Sequence, residues 1–174
     1  RDFGRANSDI WHLAEGINGI HNVTHLPLDV IFDDSLTIDG LSKYPVVIFD
    51  NVMCLSDSQC NAIRGYVENG GTIIAMHETS LWDEWGNRRE NFALADLYGV
   101  DYLSTETTVP RVLVPHEDEL KKQFGRFVTF MGRGTRVAMR DGSDAEILMA
   151  RSPLASVNLV NIKVDSFDSD TPEI

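Results

Sequence analysis

The sequence predicts an α/β protein, folded as a three-layer sandwich around a mainly parallel sheet. Two apolar segments, 46–49 and 72–76, flank a helix that is predicted to begin near residue 57. Both segments are short and rich in β-branched residues, which is typical of strands that are covered on both faces. Two strands joined by one helix are most simply parallel neighbours with a right-handed crossover. Residues 44–78 are therefore predicted to form a strand-helix-strand unit.

The helix of this unit has clear signals at both ends. Ser56 and Gln59 have the spacing of a capping box, in which each residue satisfies a backbone donor of the other. The glycines at 70 and 71 follow the helix and favour the left-handed turn that ends many helices. Between these ends an apolar stripe at helical spacing predicts the buried face. The stripe consists of Cys60, Ile63, Tyr66 and Val67.

Further elements are predicted on both sides of the unit. Apolar residues at helical spacing predict helices at 8–20 and 90–98, and a β-branched run predicts a strand at 28–32. Beyond residue 100, short apolar runs between turn-forming residues predict a β-rich extension of mostly hairpin-like strands. Those strands are predicted at 111–114, 127–131, 135–139, 145–149 and 157–164. We expect one domain over residues 1–164, followed by an acidic tail over 165–174.

Composition and charge exclude several classes of function. The chain has 174 residues and 43% hydrophobic content, which suits one sizeable core. Its 15 Lys and Arg against 27 Asp and Glu give a formal net charge of -12, which repels nucleic acid and anionic membranes. We find neither an apolar run of about 20 residues nor a signal-peptide pattern. The sequence therefore predicts a soluble protein with no nucleic-acid or membrane partner, and it leaves the compartment open.

Candidate chemistry lies where the predicted strands end, because ligands of open α/β sheets gather beyond the carboxyl ends of the strands. The polar residues at these positions are Asp33, Asp34, Asp50, Asn51, His77 and Glu78. A histidine beside a carboxylate can position water or move a proton, so His77 and Glu78 are the candidate acid/base pair. Alternatively, these two side chains cap the following turn and anchor the loop at 79–90.

Several catalytic motifs are missing from the sequence. His77 and Glu78 lack the second histidine of a zinc protease, because Leu81 stands at the required position. The Gly-x-Ser-x-Gly pattern is absent, and Cys54 and Cys60 are too few for a disulfide scaffold. The acidic run at 116–119 indicates a helix start more readily than a metal site. We therefore predict neither a cofactor nor a metal.

A polar loop after the second strand carries the aromatic candidates Trp82 and Trp85, followed by Arg88. Exposed aromatic rings beside carboxylates suit either sugar stacking or a protein interface. In the alternative interpretation, the tryptophans fold back over the end of the sheet. The arginines Arg88 and Arg89 would then pair with neighbouring acids.

Five separated motifs occur in a fixed order along the first part of the chain. They are LSKY at 41–44, LSDSQ at 55–59, YVENGGT at 66–72, ETSLWDEWG at 78–86 and NFALADLYGV at 91–100. Together they resemble the class I glutamine-amidotransferase-like domain of β-galactosidase-type glycoside hydrolases, called the trimerisation domain. The resemblance covers about residues 5–104.

This resemblance implies a flavodoxin-like fold that lies downstream of a catalytic (β/α)8 barrel. The domain would help to assemble a homo-oligomer, a trimer, and contribute to the rim of the active site. True amidotransferases place a nucleophilic cysteine at the strand-to-helix turn, where this chain has Met76, His77 and Glu78. Amidotransfer is therefore not expected. The family's first strand precedes its first helix, so we expect this chain to be a fragment of a longer protein.

The leading hypothesis is a non-catalytic accessory or oligomerisation domain associated with a β-galactosidase-like glycoside hydrolase. Its contact residues would be Trp82, Trp85 and Arg88. One alternative is a small carbohydrate hydrolase with His77 and Glu78 as its acid/base pair. Such enzymes need two carboxyl groups about 5–10 Å apart, which Glu78 with Asp33 or Asp50 would supply. The other alternative is a sugar-binding module that uses Trp82 and Trp85.

Overall fold

The computed structural model describes residues 19, 21–22, 24–106, 111–130 and 134–151. Its helices are α1 (Ile38–Leu41), α2 (Asp57–Glu68), α3 (Ala95–Tyr98) and α4 (Asp118–Phe124), with a 3-10 turn at Asp33–Ser35. Its strands are β1 (Val46–Phe49), β2 (Thr72–Ala75), β3 (Val100–Glu106), β4 (Arg111–Pro115), β5 (Val128–Phe130), β6 (Gly134–Met139) and β7 (Met149–Arg151). The described part of the chain is therefore mixed α/β, as the sequence predicts.

The strand-helix-strand unit is confirmed. Strands β1 and β2 pair in parallel, in a register that runs from Val46 opposite Thr72 to Phe49 opposite Ala75. Helix α2 connects them and begins with the predicted capping box. The Ser56 hydroxyl accepts a bond of 3.2 Å from the Gln59 amide, and the Gln59 side chain accepts one of 2.9 Å from the Ser56 amide.

The end of α2 depends on two adjacent glycines with different roles. Gly70 has φ of +91°, a conformation that glycine adopts without a steric penalty. Gly71 lies against the ring of Tyr66, and a β-carbon at this position would come within 2.2 Å of that ring. The Tyr66 hydroxyl donates to the carbonyl of Tyr44 at 2.9 Å, which ties the helix to the start of β1.

One face of the parallel pair packs into the main core. Val47 and Phe49 are buried, whereas Val46 and Ile48 on the opposite face are 46% and 36% exposed. The core side chains are Leu36, Leu41, Val47, Phe49, Leu55, Cys60, Ile63, Tyr66 and Leu94. A three-layer sandwich requires cover on both faces, so that part of the predicted fold class stays a prediction.

The other named strands pair in the antiparallel direction, so the described strands do not form the mainly parallel sheet that the sequence predicts. Strand β3 pairs with β6, and β4 lies between β5 and β7. A β-rich extension is confirmed, but the predicted hairpins are not: among the described strands β3 pairs with β6 and β4 with β7, and α4 separates β4 from β5. Strand β3 itself was not predicted, and the strand expected at 145–149 begins only at Met149. A second core cluster lies between the loop after β2 and the β3–β6 pair. It consists of Leu81, Phe92, Ala95, Val100 and Val137.

One predicted element is wrong, and another begins later than predicted. Residues 28–32 form no strand: Val30 and Phe32 are 58% and 72% exposed, and β1 pairs only with β2 among the described strands. β-Branched composition favours a strand only where a neighbour completes the ladder. The helix predicted at 90–98 begins at Ala95, because the Asn91 side chain accepts bonds from the amides of Phe92 and Tyr102 and so opposes helix formation before it.

Several predicted segments fall outside the described residues. These are the strand at 157–164, the acidic tail at 165–174 and most of the helix at 8–20. Gly19, His21, Asn22 and Thr24 are described and helical, and the last three lie beyond the predicted end of that helix at residue 20. None of the helices in the described part of the chain has the length and apolar character required to cross a membrane.

Candidate functional site

The turns that follow β1 and β2 hold strained residues side by side. Asn51 and His77 have φ of +54° and +57°, and Ser80 has φ of +67°. Left-handed conformations are uncommon outside glycine and cluster at functional or tightly constrained sites. The Asn51 side chain accepts a bond of 3.1 Å from the Glu78 amide, which joins the two turns. The strand ends therefore form one fixed unit.

His77 and Glu78 form hydrogen bonds with two threonines of the antiparallel β3–β6 pair. The His77 ring nitrogen Nδ1 lies 2.6 Å from the Thr135 hydroxyl, and the Thr105 hydroxyl donates to the Glu78 carboxylate. Thr105 and Thr135 are direct cross-strand partners on β3 and β6. Side chains of such partners lie on the same face of a sheet, so the two threonines meet two consecutive residues. We call these four residues the threonine clamp.

The geometry of the threonine clamp limits what it can catalyse. A hydroxyl within hydrogen-bond distance of an imidazole is the arrangement of an activated nucleophile. Thr135 is 0% exposed, however, so its hydroxyl is closed to a substrate in this conformation. The Thr105 hydroxyl is also within 3.0 Å of the Tyr102 hydroxyl. The threonine clamp therefore connects the end of β2 to the β3–β6 pair. It does not present an accessible nucleophile.

The sequence reasoning identified His77 and Glu78 but missed their partners. Thr135 lies 58 residues from His77 along the chain, and Thr105 lies 27 residues from Glu78. A strand was predicted at 135–139, but no local pattern indicates which strand pairs with it. Predicting Thr105 and Thr135 as partners of His77 and Glu78 would have required the register of β3 against β6.

The loop residues Trp82, Trp85 and Arg88 do not converge on one surface. Trp82 packs against the second core cluster, whereas Trp85 is 80% exposed. The Arg88 guanidinium lies 4.7 Å above the ring of Tyr102, a cation–π contact. Trp85 is therefore the tryptophan of this loop that is open to solvent.

Arg89 stabilises the base of the same loop. Its guanidinium donates to the carbonyls of Leu55 and Trp82 and forms an ion pair of 2.7 Å with Asp57 in the first turn of α2. Asp57 is exposed, so most of the stabilisation comes from the two carbonyl contacts. Arg89 thereby holds the loop against the start of α2.

Asp33 and Asp34 face a groove that no residue of the threonine clamp lines. They line a groove of about 410 Å³ together with residues of the α2 start and the tryptophan loop. The remaining lining residues are Leu36, Thr37, Cys54, Ser56, Ser58, Gln59 and Glu84. Asn51, which was expected to share a cleft with the two aspartates, is not among them.

Neither a thiolate nor a metal is favoured at this groove. Burial raises the pKa of the Cys54 thiol, and the Asp83 carboxylate raises it further, so the thiol stays protonated near neutral pH. Within the described residues, no three histidine, cysteine, aspartate or glutamate side chains have the arrangement of a metal site. The groove is therefore an acidic and hydroxyl-lined surface without an evident reactive group.

Several solved structures have a fold similar to that of this chain. Solved structures with the same fold include the GH42 β-galactosidase Gan42B from G. stearothermophilus, with a TM-score of 0.57 and 17% identity over 76% of this chain. A ThuA-like protein from Bacteroides uniformis gives a TM-score of 0.60 and 18% identity over 82% of this chain. A β-galactosidase from Bacillus circulans sp. alkalophilus gives 0.55 and 16% over 64%.

These likenesses differ in how much of each structure they span. The matched region is 17% of the length of both β-galactosidases and 60% of the ThuA-like protein. The identities are low enough that the likeness is one of fold. No protein-family model matches the chain, and no curated protein sequence does either.

Proposed function

We propose that this chain is a non-catalytic accessory domain that takes part in subunit assembly of a β-galactosidase-like glycoside hydrolase. The single observation that carries the proposal is the match of most of this chain to a minor part, 17%, of the Gan42B structure. A domain that occupies so small a share of a glycoside hydrolase chain leaves ample length for a separate catalytic barrel. The partners of this domain are then other copies of itself and that barrel.

The threonine clamp supports a scaffold role. At the strand-to-helix turn where an amidotransferase would carry its nucleophile, this chain has His77, held against the buried hydroxyl of Thr135. A side chain that is used to join two sheets is less available for proton transfer to a substrate. The strain at His77 is then part of the connection between β2 and the antiparallel pair.

Oligomerisation and activity are tested on the same preparation. Sedimentation equilibrium is expected to show a defined oligomer, and assays with nitrophenyl galactosides are expected to show no turnover above background. The matched variants are His77→Ala and Glu78→Gln. A wild-type turnover that either variant abolishes would replace this proposal with the hydrolase alternative, and a strict monomer at millimolar concentration would remove the assembly role.

Sugar binding is a second candidate, because Trp85 is 80% exposed and the preceding residue in the chain, Glu84, is also exposed. Aromatic faces and carboxylates are common partners of sugar rings and hydroxyls. Calorimetric titration with galactose and lactose tests it. Heat that disappears in Trp85→Ala would favour this candidate, and no heat with the wild-type chain would remove it.

A further inference from the structure

The face of the parallel pair that points away from the main core is apolar and open to solvent. Ile48 and Ile74 are direct partners in the register, and both are exposed. The amide of Met76 donates to the carbonyl of Phe49, which continues the ladder one residue beyond β2. Because alternate residues of a strand lie on the same face, four apolar side chains share this surface. They are Val46, Ile48, Ile74 and Met76, which we call the open face.

An uncovered face is unusual for parallel strands. Parallel sheets occur almost only where both faces are covered, because helices connect their strands. Helix α2 packs on the face that carries Val47 and Phe49. No described segment covers the opposite face, since the four side chains of the open face remain exposed. The open face therefore needs a cover that has an apolar surface of its own.

The amino-terminal segment, residues 8–20, has the sequence of such a cover. This segment is predicted to be helical, with apolar residues at spacings of three and four. A helix over 8–20 is about 20 Å long, which exceeds the length of about 13 Å of a four-residue strand such as β1. The stripe residues, which lie outside the described part of the chain, are Ile10, Leu13, Ala14, Ile17 and Ile20.

Only a short link separates this segment from the residues next to the parallel pair. Thr24 is helical, and residues 25–27 connect it to Leu28. Four Cα-to-Cα steps span at most about 14 Å, so the helical end lies within this distance of Leu28. The His21 Nδ1 atom lies 3.1 Å from the carbonyl oxygen of Leu26, which holds the link against the end of the helix.

Residues 29–33 then run beside β1 in the same direction as the strand. At the start of β1, burial and then a hydrogen bond with the Asp29 carboxylate raise the pKa of Tyr44, so Asp29 lies close to Tyr44. Beyond the end of β1, the Gln59 side chain in the first turn of α2 donates to the carbonyl of Asp33 at 3.2 Å. The link at 25–27 therefore lies toward the amino end of β1.

We propose that the amino-terminal segment packs its apolar stripe on the open face of the same chain. The helix then runs antiparallel to β1 and β2 and ends near their amino ends, where the link begins. A short linker gives a tethered partner an effective concentration in the millimolar range, which favours the segment over a second copy. A second copy also carries the same net charge of -12 and is repelled at long range.

This contact limits which surfaces are available for assembly. It completes the third layer of the predicted sandwich and buries an apolar surface that would otherwise favour aggregation. Subunit contacts then have to use another part of the molecule. Because the contact lies within one chain, it does not depend on the assembly role and holds for a monomer as well as for an oligomer.

The first test measures how accessible the open face is in the whole chain. Ile74→Cys places a thiol on this face, in a background where Cys54→Ser removes the exposed native thiol. Leu103→Cys in the same background is the reference, since Leu103 is exposed on β3 in another sheet. Reaction with a small maleimide is expected to be at least tenfold slower in Ile74→Cys than in Leu103→Cys. Equal rates would overturn the proposal.

The second test asks whether the apolar stripe provides this protection. Ile17→Asp places a charge in the stripe and is expected to accelerate the reaction of the Ile74→Cys thiol at least tenfold. His12→Asp is the matched control, because it introduces the same side chain on the opposite side of the predicted helix, and it should change the rate less than twofold. Equal effects of these two substitutions contradict the proposal.

Cys60 serves as an internal reporter in both tests. Its thiol is buried, so it reacts only when the main core opens. If Ile17→Asp makes Cys60 reactive, the substitution has unfolded the domain, and the milder Ile17→Ala takes its place with the same expected direction.

Protein concentration distinguishes this contact from cover by a second copy. Protection within one chain is expected to be the same from micromolar to millimolar concentration and to be lost in Ile17→Asp. Protection that increases with concentration and persists in Ile17→Asp means that a second copy covers the open face. That result overturns the proposal but leaves the assembly role standing, with the open face as the subunit interface.

Discussion

The Nδ1 atom of His77 lies 2.6 Å from the hydroxyl oxygen of Thr135, across 58 residues of sequence. This contact joins the carboxyl end of the parallel pair to the antiparallel pair, and the bond between Thr105 and Glu78 runs beside it. His77 and Glu78, which a motif search would examine for catalysis, therefore join two sheets through their bonds to Thr135 and Thr105. Their energetic role can be measured directly.

Thr135→Val is expected to destabilise the protein by about 1–2 kcal/mol, because the variant keeps the volume of Thr135 but leaves the polar atom of His77 without its hydroxyl partner. Urea unfolding followed by circular dichroism measures the change. Thr72→Val, on an exposed threonine of β2, is the matched control and should stay within about 0.5 kcal/mol of wild type. Indistinguishable midpoints for the two variants would show that the clamp contributes nothing to stability.

Tyr98 is expected to make stability depend on alkaline pH. Burial raises its pKa to about 12, from an ordinary value of 10.0. The folded state therefore holds the phenolic proton more tightly than the unfolded state, and the stabilisation present below pH 10 is lost as the pH rises toward 12. The loss should be on the order of 2 kcal/mol. Tyr98→Phe should remove this dependence of stability on pH. Unfolding curves of both proteins at pH 9 and pH 11 provide the test. If the unfolding free energy falls by the same amount in both proteins between these pH values, the prediction is refuted.

Arg64 and Asp96 are expected to couple stability to acid pH in the opposite sense. The Arg64 side-chain bond holds the pKa of Asp96 below its ordinary value of 3.8. The stabilisation is therefore fully present above that ordinary pKa and is lost as the pH falls from it through the lowered pKa of the folded state. Because the two side chains are 29% and 49% exposed, the pair should contribute no more than about 1 kcal/mol.

Thermal unfolding at pH 7 and pH 3 checks this pair. Asp96→Asn should lower the unfolding free energy at pH 7 and lower it by less at pH 3, because the stabilisation decreases as the pH falls below the ordinary pKa of an aspartate. Asp39→Asn is the matched control, on an exposed aspartate in α1. The prediction is wrong if Asp96→Asn costs as much at pH 3 as at pH 7.

Gly71→Ala should destabilise the protein more than Gly70→Ala, although Gly70 has the unusual backbone angle. A β-carbon at Gly71 would lie 2.2–2.5 Å from the buried ring of Tyr66, which must then move and weaken its bond to Tyr44. We expect about 1–3 kcal/mol for this overpacking. At Gly70 a β-carbon meets nothing within 4 Å, and only the φ of +91° opposes it, at about 1 kcal/mol. Denaturant midpoints rank the two variants, and the reverse order would contradict the prediction.

Local signals account for what the sequence could predict of the fold. Helix α2 was predicted at both ends, because a capping box and a glycine stop are read from residues three or four positions apart. Strands β1 and β2 followed from two short apolar runs and the helix between them. The segment at 28–32 has the same composition, but it forms no strand, since pairing depends on a neighbour and not on composition.

The residues of the candidate site were likewise predictable only where local features indicate them. The sequence placed His77, Glu78 and Trp85 at the end of a strand and in the loop that follows it, because strand ends and polar loops are local features. It could not separate the exposed Trp85 from the packed Trp82, whose positions depend on the second core cluster. Nor could it link Asp33 and Asp34 to the start of α2, where they line a groove.

By itself, then, the sequence determined the parallel strand-helix-strand unit and the position of His77 at its carboxyl edge. The tertiary structure alone decided that His77 meets Thr135, through the register that sets Thr105 opposite Thr135 on β3 and β6. The physical reason is that helix caps and turns are short-range interactions, whereas antiparallel register is fixed by long-range packing of faces that no local pattern specifies.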